Sequence, residues 1–183
     1  MNLLSRLLLV LAAMSFSPAS ATPPQLGRSR LEREHAFSVA RSLAEAFVFF
    51  EPIGEKLWAE NWQPVFVAAE DAELRVGSVF LVPAISPAGR EIAAVWAVAH
   101  YEPPHRIEYR NVLPGVRATW IVVQCAADGP HRTRVTVRYT YHAISDEGDA
   151  FVRKMTVEKF AAMIESWGEA IAAYLARGTP ASP

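Results

Sequence analysis

The chain has 183 residues, 51% of them hydrophobic, a formal net charge of −1 and 1 cysteine. A near-neutral chain offers no electrostatic case for nucleic acid or for an acidic membrane surface. A single cysteine rules out an intramolecular disulfide, so the core alone has to hold the fold.

The N-terminus reads as a leader. Met1 to Arg6 carries one positive charge, Leu7 to Phe16 is apolar and uncharged, and Pro18-Ala19-Ser20-Ala21 supplies small residues at a cleavage site. The apolar run is about half the roughly 20 residues of a membrane-spanning helix, so cleavage after Ala21, with no stable membrane anchor left, is the expectation. Residues 1–21 are therefore read as a signal peptide and the mature protein as periplasmic or secreted. Cleavage would leave 162 of the 183 residues and remove Arg6 with no acid, moving the net charge from −1 to −2. Residues 22–30 and 179–183 are rich in Pro, Ser and Gly and read as disordered ends. Residues 31–178 are long enough for one domain with a real core.

Along that domain the hydrophobic period changes twice. His35, Phe37 and Val39 alternate with Glu34, Ala36 and Ser38, as in a half-buried strand. Ser42-Leu43-Ala44-Glu45 then matches a capping box, opening a helix that Pro52 stops. A second short helix is expected from Glu55 to Trp62, closed by Pro64. From Val65 to Ser145 the period is two. Strands are expected over 65–69, 78–82, 92–101, 106–112, 118–126 and 133–145, separated by Gly- and Pro-containing turns short enough to pair neighbours antiparallel. The last strand is the clearest: Val135, Val137, Tyr139 and Tyr141 share one face, and Arg134, Thr136, Arg138 and His142 the other. After Ser145 the period returns to 3.6. Phe160, Ile164, Trp167, Ile171 and Tyr174 form an apolar stripe on a helix expected from Asp146 to Arg177, with a break near Thr156-Val157. Such a stripe can be buried only against the covered face of the sheet.

The expected class is thus α+β: a curved antiparallel sheet wrapped around a long C-terminal helix, with two short helices after the first strand. This order, from about Leu31 to Gly178, resembles the helix-grip fold of the START/Bet v 1-like superfamily (SRPBCC, which includes polyketide cyclase/dehydrase-like proteins). The segment from Glu51 to Pro64, EPIGEKLWAENWQP, is similar to the link after the first short helix in bacterial members. Thr133 to Ser145 with Asp146-Glu147-Gly148 resembles their last strand and its entry into the long helix. The resemblance implies binding of lipids, polyketides or other apolar molecules, as carrier or sensor, or cyclase and dehydratase chemistry on a polyketide-like substrate. A subunit-like interaction module is a third reading.

No nucleophile elbow, phosphate loop, dinucleotide motif or zincin helix occurs, and the five histidines show no metal-ligand spacing. No cofactor and no metal are expected. Cys125, in an apolar strand run, reads as a buried small hydrophobe. His100 and Glu102 lie two apart on one strand face and form a candidate acid–base pair at the mouth of the interior, with a solvated strand end as the other reading. Either parity of the 92–101 strand is apolar. Phe80, Trp96, Tyr109, Trp120, Tyr139, Tyr141, Phe160, Ile164 and Trp167 are the candidate cavity lining, with buried phenols expected to find hydrogen-bond partners. An apolar small molecule is the expected partner, and the oligomeric state is left open.

Overall fold

The structure, a computed structural model, describes residues 27–68 and 73–178. The leader reading for residues 1–21 and the tail reading for 179–183 lie outside the described residues.

Seven strands form one antiparallel sheet in the order β1-β7-β6-β5-β4-β3-β2. They are β1 (Arg30–Val39), β2 (Val65–Phe66), β3 (Val79–Ile85), β4 (Glu91–Glu102), β5 (Arg106–Leu113), β6 (Arg117–Ala127) and β7 (Thr133–Ala143). The last five are joined by short turns, which brings consecutive strands side by side. β1 closes the sheet against β7 in a continuous register from Arg30↔His142 to Val39↔Thr133. Strand β1 begins ahead of the expected boundary at Leu31. Its entry is fastened where Arg28 bridges Asp146 and Asp149 at 2.6 Å each and the Ser29 N–H donates to Asp149.

Between β1 and β2 lie α1 (Leu43–Phe47) and two 3₁₀ turns, Val48–Phe50 and Gly54–Leu57. The Glu45 carboxylate accepts from the Ser42 N–H at 3.1 Å, as the capping box predicts. The second helix is shorter than the expected Glu55-to-Trp62 span. The expected C-terminal helix is two: α2 (Asp146–Lys154) and α3 (Val157–Ala176). The break falls at Met155-Thr156 because Thr156 restarts the helix as N-cap, its hydroxyl accepting the Lys159 N–H at 3.3 Å. Ser145 caps α2 in the same way, accepting from the Gly148 N–H at 3.1 Å.

The core lies between the concave face of the sheet and α3. Phe80, Ile107, Val135, Val137, Phe160, Ile164 and Ile171 are fully buried there, under the plug of Phe47 and Phe50. Cys125 is also buried, and burial pushes its thiol up to about 12, an unreactive small hydrophobe. One irregularity matters for the site. The β4–β5 register shifts between Val98 and His100, so Val98 faces Tyr109 while His100 faces Glu108. The extra residue, Ala99, turns the parity of the strand over, as a β-bulge does.

Candidate functional site

The site is built on the segment that follows α1. Gly54 carries no side chain because a Cβ there would lie 1.7 Å from the Val48 carbonyl oxygen. That close approach stacks the second 3₁₀ turn on the first. The Trp58 indole N–H donates to the Phe49 carbonyl and the Trp62 indole N–H to the Pro52 carbonyl, both at 2.8 Å. The chain continues for another turn beyond Leu57, with the Ala59 N–H donating to the Glu55 carbonyl at 2.8 Å. Glu55, Trp58, Ala59 and Trp62 therefore recur at i, i+3, i+4 and i+7, one side of a helical turn, and all four line the same cavity.

The opposite wall comes from the sheet. Tyr109, Ile121 and Tyr139 form one cross-strand row over β5, β6 and β7, and Trp96 and Val123 flank it. Trp167 of α3 forms a further wall, leaving a partly open cavity of about 180 Å³. Its rings meet at steep angles. Trp167 lies 5.7 Å from Trp58 at 50° and 6.3 Å from Tyr139 at 64°. At the other corner Trp96 lies 5.2 Å from Trp62 at 82° and 5.6 Å from Tyr109 at 80°. Three of these four pairs meet edge-to-face and the Trp58–Trp167 pair is tilted, arrangements in which each ring is held by its neighbour's quadrupole.

Polar groups in the cavity are few. The Tyr109 hydroxyl is spent, donating to the Phe50 carbonyl at 2.7 Å. The Trp96 indole nitrogen is buried with no partner, a donor left unsatisfied at a cost of about 1–3 kcal/mol. Among the described residues neither the Tyr139 hydroxyl nor the Glu55 carboxyl has a hydrogen-bond or ion-pair partner. Glu55 is half-buried as a residue, and the rings and turns packed around its carboxyl strip away part of its water. That desolvation holds the acid well above the usual carboxylate range. Desolvation likewise raises the Tyr139 phenol, with further contributions from Tyr141 and Glu55, so it stays protonated. Among the described residues no arginine, lysine or histidine lines the cavity, and no cluster of three or more His, Cys, Asp or Glu is suited to a metal.

No protein-family model matches the sequence, and no curated protein matches it. Solved structures do. Norcoclaurine synthase from Thalictrum flavum, in complex with dopamine and hydroxybenzaldehyde, is 12% identical with a TM-score of 0.57, covering 92% of this chain and 97% of that one. Ara h 8.0201 is 14% identical with a TM-score of 0.58, covering 82% and 100%. An uncharacterised protein from Rhizobium leguminosarum is 15% identical with a TM-score of 0.56, covering 82% and 98%. The chain has the Bet v 1-like helix-grip fold. At these identities the likeness speaks for the fold alone.

Within the Bet v 1-like frame, the expected lining divides three ways. Trp96, Tyr109, Tyr139 and Trp167 line the cavity. Phe80, Tyr141, Phe160 and Ile164 are buried in the packed core beside it: Phe80 stacks on Trp96 at 5.9 Å, and Phe160 meets Tyr139 edge-on at 5.5 Å. Trp120 is a correction. It is 45% exposed on the outer face, 4.3 Å from the His142 ring and 5.3 Å from the Arg110 guanidinium. The pairing of β6 gives its inward positions to Thr119, Ile121, Val123 and Cys125 instead. His100 and Glu102 are a second correction. They do bond to each other, at 3.2 Å, but 43% and 62% exposed. The bulge at Ala99 turns them outward beside Arg106 and Glu108 and sends Tyr101 inward, where its hydroxyl donates to Glu51 at 2.6 Å. Glu55, Trp58, Ala59, Trp62, Ile121 and Val123 were not anticipated. The i, i+3, i+4, i+7 spacing of the first four is the signal that could have found them.

Proposed function

We propose that the protein binds a small, largely apolar molecule in this cavity, as a carrier or sensor acting outside the cytoplasm. The observation that carries the reading is the cavity: about 180 Å³ between ring walls, with one carboxyl as the only strongly polar group among the described residues that line it. Burial of an apolar ligand there is favoured by roughly 25 cal/mol per Å² of surface removed from water. The cavity favours this reading over an interaction module with a packed core. The binding of dopamine and hydroxybenzaldehyde by a protein of the same fold agrees with the reading without specifying this chain's ligand.

The test uses the five tryptophans as reporters. Titration with benzyl alcohol should shift the indole N–H signals of Trp58, Trp62, Trp96 and Trp167 in a proton–nitrogen correlation spectrum and leave Trp120 in place. An unmoved set, or Trp120 moving with the others, would refute an internal site. A second reading, acid–base catalysis on a polyketide-like substrate, is favoured by one observation: Glu55 is a desolvated acid facing the cavity, the usual condition of a catalytic proton donor. It predicts turnover that Glu55→Gln abolishes while benzyl alcohol binding survives.

A further inference from the structure

We infer that the occupant of the cavity is a small organic ammonium ion, its charge facing the Glu55 carboxylate and its body enclosed by the indole and phenol rings. The inference rests on the proposed binding role and names the ligand's chemical class.

The cavity's composition is the first argument. Six of its ten lining residues are Trp or Tyr and three are aliphatic, and the tenth is Glu55. A pocket for a purely apolar ligand gains nothing from a carboxyl group, and desolvating one is costly. Aromatic faces differ from aliphatic walls in one respect that matters here. Their quadrupoles attract a cation, indole most strongly, and the attraction grows when the site is dry. Four indoles around one carboxyl match an ammonium ion better than they match a neutral hydrocarbon.

The second argument is the missing partner. Carboxyls that lose much of their hydration in folded proteins are ordinarily paired or hydrogen-bonded, and the half-buried Glu55 has no such partner among the described residues. Here the neighbouring polar residues are otherwise engaged or are not cations. Tyr109 donates elsewhere, the Trp58 and Trp62 indoles donate to backbone carbonyls, and no basic side chain among the described residues lines the cavity. The protein therefore supplies a carboxyl and a ring cage and leaves the cationic position open, and a cation seated there favours the ionised form that desolvation alone disfavours. The close approach at Gly54 and the indole bonds of Trp58 and Trp62 hold the carboxyl's turn in place before any ligand arrives, which lowers the ordering cost of binding.

Two probes of equal shape separate the charge from the bulk: choline and its neutral isostere 3,3-dimethylbutan-1-ol. Both are titrated into the protein and followed by the indole N–H signals and by calorimetry. Choline should bind at least tenfold more tightly than the alcohol. Glu55→Gln should weaken choline at least tenfold and leave the alcohol within about twofold. An alcohol that binds as tightly as choline, or more tightly, overturns the cation while leaving the cavity reading intact. If neither probe moves the four inner indoles, both readings fall. The comparison of the two probes on the unmodified protein stands even if Glu55→Gln does not fold.

Discussion

Trp120 and Ile121 are neighbours on β6 with opposite fates. Trp120 lies on the convex face under the Arg110 guanidinium, while Ile121 is 2% exposed and lines the cavity between two tyrosines. The same contrast recurs on β4, where His100 faces outward beside Glu108 and Tyr101 turns inward. The two faces of the sheet use similar residues for different ends. On the inner face, rings meet rings and polar groups are few, so each side chain is fixed by packing. On the outer face, rings meet guanidinium groups and Glu108 brackets Arg106 and Arg110. The arginines of those pairs are partly solvated, which limits what each pair contributes. Size and hydrophobicity do not decide which face a residue takes. Strand pairing does, and one inserted residue reverses it.

The sharpest break in that comparison is Phe160→Ala. Phe160 is 1% exposed and wedged against Tyr139, so its removal should cost about 3–5 kcal/mol, read from denaturant melts. A loss below about 1 kcal/mol would mean that the inner face is loosely packed. Gly54→Ala comes next. The added methyl collides with a backbone carbonyl rather than with a movable side chain, and overpacking of this kind costs about 1–3 kcal/mol. It should also displace the indole signals of Trp58 and Trp62 and leave that of Trp120 unchanged. Stability loss without those shifts would disconnect Gly54 from the site.

Asp149 sharpens the contrast from the other side, as an outer charge that does fasten the fold. The Ser29 N–H and then Arg28 hold its carboxyl down to about 2, below its ordinary 3.8. A lowered acid contributes stability that is present above about 3.8 and lost as pH falls through about 2. Asp149→Asn should therefore lower the melting temperature at pH 6, with the gap between the two proteins closing by pH 2. A gap that persists at pH 2 would assign the effect to packing. The smallest effects belong to the open outer face. Trp120→Ala should cost only about 0.5–1 kcal/mol, the worth of an exposed cation–π contact. His100→Ala should leave benzyl alcohol binding within about twofold. A larger loss in either case would return the outer face to the list of candidate sites.

Much of the architecture is legible in local pattern, for physical reasons. The Ser42 box, the Ser145 and Thr156 caps and the alternation of β7 are short-range features, satisfied by atoms a few residues apart. Even the break before α3 shows in the sequence, because Thr156 offers a hydroxyl to the first free N–H groups of a new turn. Cys125 could be placed inside from its strand neighbours alone. Trp120 could not. Its parity also holds Gln124, a polar hint, but both faces of 118–126 are apolar enough to be covered, and indole bulk pointed the wrong way.

The amino-acid order by itself thus determined the α+β class, the succession of elements, the inward face of β7 and the stripe of α3, since each follows from a period of two or 3.6 and from caps within one turn. Tertiary structure alone decided the site. The bulge at Ala99 arises from pairing with β5, which no local window contains. The cavity joins Glu55 to Tyr139 and Trp167 across 84 and 112 positions of sequence. Whether a carboxyl so placed is solvated, paired or left open to a ligand depends on what the folded chain brings around it, and here, among the described residues, the fold brings rings and no cation.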